Sequence, residues 1–252
     1  SVESHAQRAA VFCRFLLDTY GATCLNSGSG VLDVAGGRGD VSVALLTSSP
    51  SVKSTLIEPR WRKLSRLQRN QLTACNVPSL PHIREKLDRN VLDSPEYKDV
   101  LSCASVCVGM HPDQATEPIV DFAVERGIHF AVVPCCVFGR EFPNRRDRAG
   151  KRVTSYTSLL QYLTEKAEWH PHFKVATCSL PLEGMNTVLY TVPLHNSNHE
   201  NSDQHQQHQT TSQPGVNQAQ LAVAAGSPIA TPQMPQADLE ALENGDLSWL
   251  FE

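Results

Sequence analysis

The 252-residue sequence predicts an α/β fold, a seven-stranded, mostly parallel sheet with an antiparallel last strand and helices on both faces. Three observations predict it. Short apolar runs alternate with stretches of helical periodicity from residue 3 to residue 192. The first apolar run, Val31-Leu32-Asp33-Val34, leads straight into a glycine-rich turn. The last two runs are joined around Leu182-Glu183-Gly184-Met185, a hairpin that reverses the final strand.

Taken in order, residues 3–20 carry Val11, Phe12, Phe15, Leu16 and Tyr20 near helical spacing and predict a helix ahead of the sheet. Strand 31–35, helix 40–48, strand 53–58 and a basic helix over 61–74, with Leu64, Leu67 and Leu72 on its inner side, follow. A short strand over 82–87, strand 104–110, helix 115–126, strand 129–134, helix 154–167 and paired strands over 172–179 and 186–192 complete the body, residues 1–194. Residues 195–236 are Asn, Gln, His, Ser, Thr, Pro and Ala with few large apolar side chains. They bury too little to offset ordering entropy and are expected to be a disordered linker. Residues 237–252 combine Leu239, Leu242, Leu247, Trp249, Leu250 and Phe251 with five acids, which reads either as a motif that docks on a basic partner protein or as a frayed end.

Charge divides the chain in the same place. All 22 Lys and Arg lie at or before Lys174, whereas seven of the 26 acids lie at or after Glu200, giving a mildly basic body and an acidic tail. No apolar run is long enough to span a membrane, so no membrane partner is expected. Eight cysteines without the density or spacing of a disulfide framework point to a reducing, intracellular setting, cytoplasmic or nuclear. No Cys-x-x-Cys pairs with a second ligand pair, so no zinc site is expected. The chain starts at Ser1 rather than Met, so this end does not decide the true N-terminus or any targeting signal.

The turn Asp33-Val34-Ala35-Gly36-Gly37-Arg38-Gly39-Asp40 carries the chemistry. Glycine there allows a sharp turn and lets backbone approach a ligand, as at nucleotide-type cofactor sites. An acid closes the strand and glycines fall at Gly36, Gly37 and Gly39, unlike the Gly-x-Gly-x-x-Gly of dinucleotide binders. Glu58, at the end of Ser54-Thr55-Leu56-Ile57-Glu58, is placed to accept hydrogen bonds from a ribose diol.

The turn resembles motif I of class I S-adenosylmethionine (SAM) methyltransferases, acid-x-Gly-x-Gly-x-Gly, with Ala35 in place of the first glycine, and its wording is similar to that of quinone-biosynthesis methyltransferases. Two further turns, Val108-Gly109-Met110-His111-Pro112-Asp113-Gln114 after strand four and Val133-Pro134-Cys135-Cys136-Val137 after strand five, resemble a largely uncharacterised methyltransferase-like group over residues 28–192. The resemblance implies a Rossmann-like fold and SAM as cofactor. It implies Asp33 at the methionine end, Ala35, Gly36, Gly37 and Gly39 beneath the cofactor, Glu58 on the ribose, and Asp88, with Asp93 as alternative, near the adenine.

Catalytic candidates lie in the two later turns. His111 can exchange a proton near neutral pH, and Asp113 either orients it or caps the helix that follows, where Glu117 suits the helix dipole. Cys135 and Cys136 either pack beside cofactor and substrate or, as in RNA enzymes methylating pyrimidine C5, supply a thiolate. The second cysteine of those enzymes is missing here. Arg140, Arg145, Arg146, Arg148, Lys151 and Arg152 then form a loop suited to RNA phosphates or simply to solvent. A second basic cluster holds Arg60, Arg62, Lys63, Arg66 and Arg69. The expected reaction is methyl transfer to an N or O nucleophile, with RNA as leading substrate. A catalytically inactive SAM-binding scaffold is the alternative, since neither Asn-Pro-Pro-Tyr nor Lys-Asp-Lys-Glu is present, and a dinucleotide-dependent oxidoreductase is the second.

Overall fold

The computed structural model describes residues 5–193; the expected linker and tail motif lie outside the described residues. Helix α1 (His5–Leu25) precedes strand β1 (Gly30–Val34), helix α2 (Asp40–Leu46) and strand β2 (Ser54–Ile57). Helix α3 (Arg66–Ala74), strand β3 (His82–Ile83) and two short helices, α4 (Arg89–Leu92) and α5 (Lys98–Ser102), lead to strand β4 (Ala104–Met110). A single 3-10 turn (Asp113–Ala115), helix α6 (Thr116–Arg126), strand β5 (His129–Val133), helix α7 (Tyr156–Ala167) and strands β6 (Val175–Ser179) and β7 (Thr187–Thr191) follow.

The seven strands form one sheet in the order β3-β2-β1-β4-β5-β7-β6. Strands β1 to β5 pair in parallel, and β7 inserts between β5 and β6, antiparallel to both. Period-two side-chain alternation divides the central strands between two cores. Val31, Val106, Val108, Ala131 and Val133 pack with α1 and α2. Leu32, Val34, Cys107, Phe130 and Val132 pack with α6 and α7 on the other face.

Local chemistry sets several boundaries. The basic helix starts at Arg66, not residue 61, because Ser65 and Gln68 make a reciprocal capping box. Helix α1 continues beyond Tyr20 to Leu25 across a non-helical Gly21, and the Tyr20 hydroxyl donates to the carbonyls of Phe130 and Thr191, at 2.8 and 3.0 Å. At the end of α6, Gly127 is left-handed (φ 64), its N–H donating to the Val124 carbonyl and that of Ile128 to Ala123, a Schellman closure. Strand β3 has two residues rather than six, and α4 and α5 fill the span after it.

Candidate functional site

The parallel strands end at a cavity of about 690 Å³ lined by Val34 of β1 and Ala35 after it, Ile57 of β2 and Glu58 to Arg60 after it, Lys86 to Asp88, Pro112 to Ala115, Pro118 and Phe138. Ligands of open α/β sheets bind at this end. Apolar Val34, Ile57, Leu87 and Phe138 suit a flat ring, while Glu58, Asp88 and Asp113 supply polar anchors.

Asp33 sits at the base of the turn and is fully buried. Its Oδ2 accepts from the Ser42 amide at 3.1 Å and the Ser42 hydroxyl at 2.8 Å, whereas its Oδ1 is buried without a partner. Burial pushes the carboxyl up to about 6, with the Ser42 hydrogen bonds opposing. A Cβ at Gly36 would stand 2.5 Å from that carboxylate, so only glycine lets the turn pass over it. Ala35, where motif I has glycine, takes φ 55, a conformation strained for an L side chain.

Glu58, at the tip of β2, is also buried. Its carboxylate accepts from the Gly37 amide (3.2 Å), from the Arg60 amide (3.0 Å) and from the Arg60 guanidinium in a fork (2.7 and 3.1 Å). Burial pushes its pKa up, but these hydrogen bonds and the Arg60 charge outweigh it and hold the carboxyl below its ordinary value. A ribose diol would therefore share Glu58 with Arg60 or displace its guanidinium, which is exposed. Asp88 lines the cavity while its Oδ1 caps α4, accepting from the amides of Asn90 and Val91. Asp93 lies at the other end of α4 and does not line the cavity.

His111 and Asp113 both have left-handed backbones, at φ 54 and 51. Of five non-glycine residues with positive φ among the described residues, Ala35, Asp113 and Phe138 line the cavity and His111 adjoins it, which concentrates backbone strain at the site. Arg8 of α1 approaches His111 Nε2 at 3.1 Å. A guanidinium only donates, so Nε2 is the acceptor and Nδ1 carries the proton. Burial, and then the Arg8 charge, lower the His111 pKa. The ring is neutral near pH 7, but Arg8 occupies the lone pair a general base would use.

The helix-capping role considered for Asp113 is not realised: Asp113 makes no side-chain cap, and Thr116 Oγ1 donates to its carbonyl instead. Its Oδ1 accepts from the Cys135 thiol at 3.1 Å. Burial and then the Asp113 carboxylate push Cys135 up to about 12, so it is a protonated donor near neutral pH, the wrong state for a thiolate nucleophile. Asp113, Cys135 and Cys136 bring three potential metal-ligating atoms within 4.8 Å of one another.

The basic loop divides. Arg145 is withdrawn from solvent: its Nε binds Glu117 at 2.7 Å, its Nη1 donates to the Val137 carbonyl, and it stacks on Phe142. Glu117 also binds Lys166 and the Tyr162 hydroxyl, so its cluster ties the loop after β5 to α6 and α7. Arg145 is therefore an anchor rather than a free cation. Arg148 pairs with Glu168, and its amide donates to Glu165. Arg140, Arg146, Lys151 and Arg152 are exposed. The sequence does not single out Arg8 or Phe138, and it reads Arg60 only as part of a basic cluster, not as a partner of Glu58; Arg8 meets His111 across 103 positions, beyond any local pattern.

All eight cysteines are free. No helix among the described residues is long and apolar enough to cross a membrane.

No protein-family model and no curated protein sequence matches the chain. Among solved structures it is similar to an O-methyltransferase family protein from Burkholderia thailandensis, at 14% identity and TM-score 0.41 over 74% of this chain, spanning 57% of that protein's length. It is also similar to magnesium protoporphyrin IX methyltransferase from Synechocystis PCC 6803 with bound S-adenosylhomocysteine, at 11% identity and TM-score 0.44, covering 75% of this chain and 83% of that one. A 16S rRNA (adenine(1408)-N(1))-methyltransferase mutant from Catenulisporales acidiphilia shares 15% identity at TM-score 0.41, over 71% of this chain and 92% of its own. The strand order, with β7 alone reversed between β5 and β6, makes this a Rossmann-like, mostly parallel seven-stranded sheet.

Proposed function

We propose that the chain is a SAM-dependent methyltransferase acting on an N or O nucleophile, with RNA as the leading substrate class. The observation that carries the reading is the buried Asp33 carboxylate beneath Gly36, with one oxygen unpartnered. An unpaired buried oxygen is costly unless a donor arrives, and the ammonium of a bound methionine end would be that donor. Glu58 would then hold the ribose, and Ile57, Leu87 and Asp88, which line the same cavity, would hold the adenine.

Bound SAM supplies an activated methyl group on a sulfonium. The protein's part is to orient the acceptor and exclude water, with Asp113 accepting a hydrogen bond from the nucleophile and Cys135 fixing the carboxylate's orientation. His111 supports this as a base only when Arg8 withdraws. Exposed Arg140, Arg146, Lys151 and Arg152 support contact with RNA phosphates. The unbridged cysteines support an intracellular setting, cytoplasmic or nuclear.

A second reading, a SAM-binding scaffold without turnover, is favoured by the Arg8–His111 contact and by the protonated Cys135. Radiolabelled methyl transfer from SAM to total RNA separates the two. Label on RNA that Asp113→Asn abolishes supports the enzyme, and SAM binding with no label on RNA, protein or small-molecule pools supports the scaffold.

A further inference from the structure

A second cavity, of about 660 Å³, adjoins the first at Gly37, which lines it and whose amide binds Glu58 in the first. Its walls carry Arg38, Arg62, Lys63, Arg69 and Arg84, and no Asp or Glu lines it. Among the described residues none of these five pairs with a carboxylate, whereas Arg60, Arg145, Arg148 and Lys166 do. Like charges gathered without acids repel one another, and a bound polyanion relieves that repulsion. Trp61, also in the lining, is 62% exposed, with the Arg84 guanidinium 5.9 Å from its ring centroid. The floor is firm: Leu72 is buried in a small cluster with Val43 and Leu46, against which Leu64, Val77 and Leu80 pack.

We propose that this cavity is a docking site for single-stranded nucleic acid, with a base stacked on Trp61 and the flanking phosphates held by Arg62, Lys63 and Arg69. Phosphates alone would need only the cations, and an apolar ligand only the indole. Having both in one concave wall is the pattern that single strands require, since every base offers a π-face and every linkage a charge. An acidic protein segment satisfies the cations but leaves the exposed indole without a flat partner. The volume falls within the range of cavities that enclose a ligand of nucleotide size. None of the loop cations 140–152 of the proposed substrate contact lines this cavity, and its occupancy requires no cofactor, so it stands or falls separately from the methyltransferase reading.

The test is fluorescence anisotropy of labelled uridine and deoxythymidine 12-mers with the full chain, without SAM, across a salt series. The variants are Trp61→Ala, Trp61→Phe, Arg62→Ala/Lys63→Ala and the loop triple Arg148→Ala/Lys151→Ala/Arg152→Ala, with thermal melts on each. The proposal expects saturable binding of either strand, weakened roughly tenfold by Trp61→Ala and largely restored by Trp61→Phe. Loss of two phosphate contacts in Arg62→Ala/Lys63→Ala should reduce the slope of log affinity against log salt by about 1.4. The loop triple should leave Trp61-dependent binding in place. Absence of binding, equal binding by wild type and Trp61→Ala, or binding lost only in the loop triple would each overturn it. Phosphate attraction without stacking would show as inorganic polyphosphate competing equally against both proteins, and that too would overturn it.

Discussion

Ala35 and Asp33 show how single residues tie stability to the site. Ala35 holds φ 55, a left-handed conformation that costs an L residue roughly 1–2 kcal/mol, while glycine's extra unfolded-state entropy returns part of that. Ala35→Gly should therefore stabilise the protein by about 0.5–1 kcal/mol in urea melts. Asp33 titrates at about 6 in the fold against an ordinary 3.8, so the folded protein holds its proton more tightly. Its contribution is fully present below about pH 4 and is lost as pH rises through about 6, a loss on the order of 3 kcal/mol. The difference between wild type and Asp33→Asn across a pH series of urea melts should reproduce that fall, and a flat difference would contradict it. Cofactor affinity should run the opposite way, rising with pH to a plateau above about 6 as Asp33 ionises to meet an ammonium. The positions of Asp33 in the first strand and Glu58 at the end of the second were legible in the sequence, because each follows directly from a local strand-and-turn pattern. The Arg8–His111 contact and the inward turn of Arg145 were not, because both depend on partners from distant elements. Removing the guanidinium in Arg8→Ala should raise the His111 pKa, a shift that NMR titration of the ring would read directly.

At the scale of elements, the seven strands and the reversal of β7 followed from alternating periodicity and the hairpin at Leu182-Glu183-Gly184-Met185, whereas the strand order did not, because periodicity does not encode which strands pair. Boundaries followed only where a cap was recognised. Ser65-x-x-Gln68 starts α3 later than its basic composition suggested, and α4 and α5 are too short for a periodic signal. Asp88 illustrates the limit: the sequence places an acid after β3, but only the fold shows that one of its oxygens is spent on the cap of α4. The Glu117 cluster joins α6, α7 and the loop from β5. Its charges are largely buried, so Glu117→Ala should leave Arg145 without its partner and cost about 2–4 kcal/mol in urea melts. A variant as stable as wild type would show that the loop is held by its other contacts. Gly127→Ala, which forces a Cβ onto φ 64, should cost about 1 kcal/mol.

At the scale of the whole molecule, two cores hold a sheet whose parallel carboxyl ends open into one cavity, which Glu58 lines, while the unpartnered Asp33 oxygen lies buried beneath Gly36 in the turn next to Val34 and Ala35 of its wall. Strain at Ala35, His111, Asp113 and Phe138 gathers at the same end, as expected where a fold gives up stability for a site. Asp33, Glu58 and the cavity beside them together would bind SAM. Calorimetric titration of the full chain with SAM, in parallel on Asp33→Asn and Glu58→Gln, tests it most directly. Micromolar binding by the wild type is expected, with at least about tenfold weaker binding by each variant, a change of roughly 1.4 kcal/mol or more. Absence of binding by the folded wild type, or binding that neither substitution alters, would contradict it.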